Sequence, residues 1–323
     1  MRAAAIALAL GVAVPAAAQT SVLVVSGLGG EPRYQAAFRA TGFAVVDAAV
    51  HRLGVPPARV RYLAEETAGD ARVAARSTKE NVAAALQTLA GAAKGESLVL
   101  IVFIGHGSAR GGEAYINLPG PDLSAREFAG LLARLPTQRV VVVNTTSASG
   151  DWVLALAGPG RIVVTATRSG VEREETLFGQ HFATALATDE ADRDKDGRLS
   201  VLEAFEYARR EVARVYERDQ RLRTEHALLD ADGDGIGTLE PDVAGGDGAL
   251  AAVTYLDAGV GLTVGDAASD LAAVRDSLQR AVVALRGQKD RLPAADYERR
   301  LETLLLELAR VSRELRAREG RQP

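Results

Sequence analysis

The sequence predicts an α/β protein in which a parallel-rich sheet carries helices on both faces, followed by a helix-loop-helix segment and a C-terminal helical hairpin. Three observations support this fold class. Apolar, β-branched runs alternate with helical stretches through the first half of the chain. These runs are continuous rather than interrupted by polar residues, as in strands that are covered on both faces. The repeated order of strand, helix and strand also implies parallel neighbours joined by right-handed crossovers.

The elements follow one another at regular intervals along the chain. We expect strands at residues 21–26, 59–63, 97–104, 138–144 and 161–167, and helices at residues 33–52, 77–93, 124–134 and 176–187. A further apolar run, 250–256, is predicted to return as an edge strand of the same sheet. The predicted organisation is a signal peptide at 1–18, the α/β domain at 19–190, an acidic region at 191–241, an edge strand and linker at 242–265, and the hairpin at 266–323.

The amino terminus has the pattern of an export signal. Arg2 precedes an apolar run at 3–14 that ends at Pro15 and three small residues, 16–18. Because the run is too short to span a bilayer, we predict a cleaved signal peptide in preference to a retained anchor, with a mature chain that starts near Gln19. The predicted location is therefore periplasmic or secreted.

The composition excludes several kinds of chemistry. The chain has no cysteine, so it has no disulfides, no thiolate nucleophile and no thiolate metal ligand. Its net charge of −4 gives no electrostatic basis for a nucleic-acid partner. With 47% hydrophobic residues in a length of 323, the chain can bury one main core and carry appended segments.

Residues 192–203 place an oxygen ligand at each position that a twelve-residue calcium loop uses. Gly197 stands at the sharp turn, and Leu199 provides the apolar plug of such loops. The predicted ligands are Asp192, Asp194, Asp196, the carbonyl of Arg198, Ser200 and Glu203. A helix is predicted on each side, at 176–187 and 201–219, which completes the helix-loop-helix of an EF-hand. The alternative, an acidic helix-capping turn, accounts for one aspartate and not for the full spacing.

A second acidic run, residues 230–238, repeats the first part of this spacing. Its predicted ligands are Asp230, Asp232, Asp234, Ile236 and Thr238. Position 12 is Pro241 and Gly237 replaces the apolar plug, so the run lacks the bidentate glutamate of a regular loop. We therefore expect weak or irregular calcium binding here, or a metal-free turn rich in glycine and aspartate.

Two predicted strand ends carry chemically distinctive residues. Strand 97–104 runs into Gly105-His106-Gly107, and strand 138–144 runs into a polar turn that contains Ser147. Because the carboxyl ends of adjacent parallel strands meet at one edge of a sheet, we expect His106 and Ser147 to lie side by side. The alternative is a structural role, which is the more common one for a histidine in a tight turn.

This order of motifs resembles the caspase and legumain type of cysteine peptidase, clan CD, peptidase C13 type. Gly105-His106-Gly107 is similar to the family's histidine motif, and residues 145–150 are similar to the segment that carries its nucleophile. Residues 33–36 and 165–169 are similar to two legumain segments, which implies that Arg33 and Arg168 shape a substrate pocket. The resemblance covers about residues 21–187.

Ser147 stands where this family has its cysteine. A serine hydroxyl is a much poorer nucleophile than a thiol at neutral pH, and it needs an oriented base. His106 is that base if the site is active, and Glu113 and Asp151 are the nearest acids in sequence that could orient it. We therefore predict an exported calcium-binding protein whose catalytically degenerate caspase/legumain-like domain binds a peptide or protein. The alternative is an active endopeptidase or acyl hydrolase that uses Ser147 with His106.

The last sixty residues differ in composition from the rest. Apolar residues recur at spacings of three and four on both sides of Pro293, which predicts two amphipathic helices in an antiparallel hairpin. Each apolar stripe needs burial. It packs either within the chain or against another molecule, which would make these helices the interface of a homo-oligomer or of a partner protein.

Overall fold

The computed structural model describes residues 20–67, 69–92, 97–135, 139–257 and 267–319. The predicted signal peptide, 1–18, and the end of the predicted linker, 258–265, lie outside these residues. Within the described ranges, no helix combines the length and the apolar character needed to cross a bilayer.

Ten strands form two sheets in the described part of the chain. In chain order they are β1 (Thr20–Ser26), β2 (Val60–Ala64), β3 (Val73–Arg76), β4 (Leu98–Ile104), β5 (Gly107–Arg110), β6 (Glu113–Ile116), β7 (Leu123–Ser124), β8 (Arg139–Asn144), β9 (Arg161–Thr165) and β10 (Leu228–Asp230). The main sheet has the order β10-β9-β8-β4-β1-β2-β3, and all its pairs are parallel except that of β9 with β10. Strands β5, β6 and β7 form a small antiparallel sheet. The five strands predicted for the α/β domain are confirmed.

The helices lie between and after these strands. They are α1 (Pro32–His51), α2 (Lys79–Ala92), α3 (Ala125–Leu132), α4 (Trp152–Leu156), α5 (Phe178–Ala187), α6 (Val201–Arg218), α7 (Gly246–Ala252), α8 (Ala267–Arg286) and α9 (Ala294–Glu319). Helices α8 and α9 pack along each other on either side of Pro293. The predicted C-terminal hairpin is therefore confirmed.

Each face of the main sheet has its own apolar core. Helices α1, α5 and α6 cover one face, with Phe178, Phe182 and Phe205 among the residues they bury. Helices α2, α3 and α4 cover the other face, where Phe103 of β4 contacts Phe128 and Trp152 at centroid distances of 4.9 and 5.3 Å. The prediction of helices on both faces is confirmed, and it explains why the central strands are apolar on both sides.

The prediction of an edge strand at 250–256 is wrong. Helix α7 covers its first residues, and Tyr255 forms only an isolated bridge with Ser200. The edge beside β9 is taken by β10, which the sequence pattern did not reveal because it is three residues long. The alanine-rich composition of 249–252 favours a helix, and Gly248 packs so closely on the carbonyl of Asp242 that a side chain there would clash.

Candidate functional site

The edge of the sheet at the ends of β4 and β8 brings the predicted histidine and serine turns together. The two strands pair in parallel up to Phe103 and Asn144. Beyond them, Gly107 lies so close to the carbonyl of Ser147 that an added Cβ would stand 2.2 Å from its oxygen. Glycine is therefore required at this position for the two turns to meet.

The Ser147 hydroxyl is fully occupied by backbone groups. Its Oγ accepts a hydrogen bond from the amide of Gly107 at 3.1 Å and donates one to the carbonyl of the same residue at 3.2 Å. The residue is 3% exposed. No hydrogen bond joins Ser147 to His106 among the described residues, so the hydroxyl ties two turns together instead of facing a base.

The turn that carries Ser147 is held rigidly against the segment after β9. Thr167 Oγ1 accepts hydrogen bonds from the amides of Ser149 and Gly150, at 2.8 and 3.1 Å. Ala148 adopts a positive φ of 53° and donates its amide to the carbonyl of Glu172 at 2.7 Å. Non-glycine residues rarely adopt this conformation, and the surrounding contacts enforce it here.

His106 packs between two aromatic rings on the amino-terminal part of α1. Its ring meets Tyr34 and Phe38 edge-on, at centroid distances of 4.7 and 5.0 Å. Burial lowers the pKa of His106, and the charge of Glu175 opposes that shift in part. Glu175 is thus the acid that acts most strongly on this imidazole, and its place in the sequence, 69 residues after His106, gave no signal of it.

The two acids nearest in sequence have other partners. Glu113 lies 3.8 Å from Arg126 and accepts a hydrogen bond from the hydroxyl of Tyr115. The carboxylate of Asp151 lies beside Gly170. Neither acid contacts His106 within the described residues, so neither completes a triad there.

The two arginines expected to shape a substrate pocket are exposed and have separate partners. Arg33 pairs with Glu31 at 3.1 Å and donates to the hydroxyl of Tyr34. Arg168 pairs with Glu172 at 3.1 Å. Tyr34 connects Arg33 indirectly to His106, whereas no described contact joins the two arginines.

The first acidic loop folds as a turn between α5 and α6. The amide of Gly197 donates to Asp192 Oδ2 at 3.0 Å, and the amides of Asp196 and Arg198 donate to the aspartates two residues earlier. Gly197 has a φ of 80°, which suits glycine at the sharp turn. Leu199 is buried, as expected of the apolar plug.

Three carboxylates of this loop converge on one point. Oxygens of Asp192, Asp194 and Asp196 all lie within 4.8 Å of one another. Asp192 is 6% exposed, and its Oδ1 is buried without a hydrogen-bond partner among the described residues. A buried carboxylate oxygen without a partner is energetically costly, and these three carboxylates could hold a metal ion.

Glu203, the twelfth residue of the loop, folds back over it from the first turn of α6. Its Oε1 accepts from the amides of Arg193 and Asp194, at 2.9 and 3.4 Å. Its Oε2 accepts from both the amide and the hydroxyl of Ser200, at 2.9 and 2.8 Å. Ser200 in turn caps α6, so loop closure and helix initiation use the same carboxylate.

The second acidic loop has the same turn geometry. Asp230 accepts from the amides of Gly233 and Gly235, at 2.8 and 3.0 Å, and it is fully buried. Oxygens of Asp230, Asp232 and Asp234 again lie within 4.8 Å of one another. Gly237 replaces the apolar plug because Leu228 already fills that space: an added Cβ would lie 2.8 Å from the Cβ of Leu228.

Asp247 takes the place in this loop that Glu203 has in the first. Its Oδ1 accepts from the amides of Ala231 and Asp232, at 2.7 and 3.3 Å, and its Oδ2 accepts from the hydroxyl of Thr238. These donors occupy loop positions 2, 3 and 9, as do the donors to Glu203. Asp247 also lies in the first turn of the following helix, α7. Counting twelve residues missed it because it follows Asp230 by seventeen positions, whereas Glu203 follows Asp192 by eleven.

Repulsion and burial act on the carboxylates of both loops. Burial, with a smaller contribution from the nearby charges of Asp247 and Asp232, raises the pKa of Asp230 to about 6. Burial also raises the pKa of Asp196, with the charges of Asp194 and Glu203 adding to the shift. Both clusters are therefore carboxylate sites that a cation would stabilise in their ionised form.

The side chain of Arg198 links the first loop to the C-terminal helices. Its guanidinium bonds to Asp257 at 3.1 Å and to both oxygens of Asp276, on α8, at 3.0 and 2.9 Å. It stacks on the ring of Tyr255 at 3.6 Å. The amide of Leu199 donates to the second oxygen of Asp257. The loop is thus attached directly to elements that come more than fifty residues later.

Comparison with known proteins adds no family to this description. No protein-family model matches the chain, and no curated protein matches it. The assignment of a function therefore depends on the two acidic clusters, each of which could hold a metal ion, and on the sheet edge at the ends of β4 and β8.

Proposed function

We propose that this protein binds calcium in the loop at residues 192–203. The observation that carries the proposal is the unpartnered, buried Oδ1 of Asp192 within a cluster of three carboxylates. Calcium binds oxygen ligands at about 2.3–2.6 Å, so two ligands of one ion stand at most about 5.2 Å apart. The carboxylate oxygens of Asp192, Asp194 and Asp196 lie within 4.8 Å of one another and so fit that limit.

The donor set favours calcium over other common metals. Every side chain in the loop that can bind a metal offers oxygen, whereas zinc sites in proteins mostly use nitrogen and sulfur. Magnesium requires a tight octahedron and usually keeps several waters. Three converging carboxylates, with the carboxylate of Glu203 folded over the same loop, suit the larger, more flexible calcium shell.

The proposal extends to the second loop, with Asp247 as its closing ligand. Asp247 makes the same contacts with loop positions 2, 3 and 9 that Glu203 makes in the first loop. Aspartate has one methylene fewer than glutamate, so its carboxylate reaches less far into the loop. We therefore expect the second site to bind calcium more weakly than the first. The name EF-hand describes the first loop, and the second is a variant with a longer spacer.

Calcium-dependent thermal unfolding tests this proposal. The melting temperature should rise when calcium replaces a chelator, since a ligand at a hundred times its dissociation constant stabilises the folded state by about 2.7 kcal/mol. Asp192→Asn should remove most of the rise and Asp247→Asn a smaller part, while the exposed Asp219→Asn should leave it unchanged. If calcium does not shift the melting of the parent protein, the proposal fails.

For the α/β domain we propose a caspase/legumain-like fold without peptidase activity. The parallel order of the central strands and the meeting of the His106 and Ser147 turns at one sheet edge support this proposal. The two hydrogen bonds between Ser147 and Gly107 support the absence of catalysis, because they leave the hydroxyl without a base. We propose that such a domain binds a peptide or protein rather than cleaving it.

The proposed setting is the periplasm or the extracellular space. Calcium loops that work outside the cytosol function at dissociation constants of about 10⁻⁴ to 10⁻³ M, which matches a loop with partly exposed ligands. Fractionation of cells that express the full chain, followed by amino-terminal sequencing, would test this. A mature chain that begins near residue 19 is the expected result.

A further inference from the structure

A cavity of about 400 Å³, partly open to solvent, is lined by described residues that include Phe178 of α5. Helix α6, the segment at 223–227 and the end of the second acidic loop, at 238–240, form its walls. Phe178, Val212, Ala227 and Leu239 give it an apolar lining. Its size falls within the range of small-molecule sites, which combine apolar walls with a few polar groups.

The polar groups that reach this cavity are mainly cationic or hydrogen-bond donors. Arg209, Arg223 and His226 all line it. Arg223 is exposed and has no ion-pair partner in the part of the chain that the structure describes. Arg209 uses one nitrogen, Nη1, on Glu240 at 3.2 Å, and the Glu240 side chain is 82% exposed.

The carboxylate of Glu172 orients the ring of His226. Its Nδ1 lies 2.6 Å from Glu172 Oε1, and its amide donates to Oε2 of the same carboxylate. Glu172 is also paired with Arg168. The ring nitrogen Nε2 is therefore the one left for a ligand, and the neighbouring acid fixes the ring in position.

Glu225, the acidic residue within the cavity wall, is already satisfied. Its two oxygens accept the amides of Leu177 and Phe178, at 2.8 Å each, at the amino-terminal end of α5. Burial raises its pKa to about 7, which reduces its negative charge at neutral pH. Glu225 therefore contributes little negative charge to the cavity. Arg223 contributes a positive charge that has no ion-pair partner among the described residues.

We propose that this cavity binds a carboxylate that carries an apolar group. Arg223 and His226 Nε2 would hold the carboxylate, and the apolar group would pack against Phe178, Val212 and Leu239. Arginine suits carboxylates because its planar fork can donate two parallel hydrogen bonds. The carboxylate can belong to a free small acid or to the end of a peptide chain. This inference does not depend on calcium binding.

Isothermal titration of the full protein, with calcium present, tests the inference with four probes. They are N-acetyl-leucine, a blocked tetrapeptide that ends in leucine with a free carboxylate, and the carboxamide of each. We expect at least one acid to bind and its amide to bind much more weakly. Binding of the tetrapeptide would identify a peptide end as the ligand, and binding of N-acetyl-leucine alone would identify a small acid.

Substitutions of Arg223 and Glu240 should change the affinity for the acid in opposite directions. Arg223→Gln should weaken acid binding roughly tenfold, the effect of one hydrogen bond to a charged group. Arg221→Gln is the matched control, because Arg221 is exposed in the same segment but stacks on Tyr216 outside the cavity. Glu240→Gln should strengthen binding by about threefold, since it removes a negative charge from the wall of the cavity.

Three results would overturn the proposal: no binding of either acid, equal binding of acids and amides, or equal losses in the variants at 223 and 221. All variants should keep the calcium-dependent rise in melting temperature. Failure of the cavity proposal is therefore distinguishable from failure of the calcium proposal.

Discussion

At the scale of single residues, Ser147 and Asp192 differ in how their buried oxygens are satisfied. The hydroxyl of Ser147 has both of its hydrogen bonds made by the backbone of Gly107. The Oδ1 of Asp192 has none among the described residues. A satisfied hydroxyl is a structural link, whereas the unsatisfied oxygen of Asp192 lies in a cluster that could hold a metal ion, and this difference supports our proposal for the acidic loop.

Ser147 should behave as a structural residue in two measurements. A fluorophosphonate probe should leave it unlabelled, because the hydroxyl has no base and is almost fully covered. Ser147→Ala should lower the free energy of unfolding in urea by about 1–2 kcal/mol, since it leaves polar groups of Gly107 unpaired in the interior. The control Thr88→Ala, on the exposed face of α2, should change it by less than about 0.5 kcal/mol. Labelling that disappears in Ser147→Ala would instead support the hydrolase.

Glu225 should make stability depend on pH. Burial raises its pKa from 4.5 to about 7, so the folded protein holds a proton that the unfolded chain releases. The free energy of unfolding should therefore fall as pH rises from about 4.5 to about 7, by on the order of 3 kcal/mol. Urea titrations across this pH range should show this decrease in the free energy of unfolding for the parent protein and for the exposed Glu217→Gln variant. The Glu225→Gln variant should not show it. Parallel slopes in the parent and Glu225→Gln proteins would contradict the assignment.

At the scale of elements, the predictions held where a pattern is long and local. Strands β1, β4 and β8 are continuous, β-branched apolar runs buried on both faces, and their composition and length identify them directly. Strands β3 and β10 have four and three residues, too few for a period, and they form because the sheet offers an edge to pair with. Local composition does not contain that information.

The same limit explains which ligands of the two acidic loops the sequence predicts and which it does not. The first loop is complete within twelve residues, so its spacing alone predicts it. The second loop takes Asp247 from beyond a spacer, and only its shared position in the first turn of the next helix reveals the correspondence.

The attachment between the first loop and α8 should have a large effect on stability. Arg198→Met would leave Asp257 and Asp276 buried without their shared cation, which typically costs about 3 kcal/mol or more. Chemical denaturation should show this loss, and Arg214→Met on the exposed face of α6 should show little. Adding Asp257→Asn to Arg198→Met should recover part of the loss, because the carboxylate of Asp257 is almost fully buried, whereas Asp276 keeps its bond to Arg275. A double variant less stable than Arg198→Met would contradict this explanation.

At the scale of the whole molecule, the first acidic loop is a junction between distant parts of the chain. It follows α5, initiates α6, and pairs through Leu199, Ser200 and Val201 with residues 254–256. Through Arg198 it also reaches α8 and therefore the C-terminal hairpin. An ion that orders this loop would then stabilise both the main domain and the hairpin.

Hydrogen exchange with mass spectrometry should detect this connection. Calcium should slow exchange in peptides from the loop and from α8, while peptides from α3, on the opposite face of the sheet, should not respond. Arg198→Lys keeps the charge but cannot make the paired hydrogen bonds to Asp276. In that variant, calcium should still protect the loop, and the protection of α8 should decrease substantially. Equal calcium-dependent protection of α8 in the parent and Arg198→Lys proteins would mean that the hairpin responds through another contact, and that the Arg198 link does not transmit the effect of the ion.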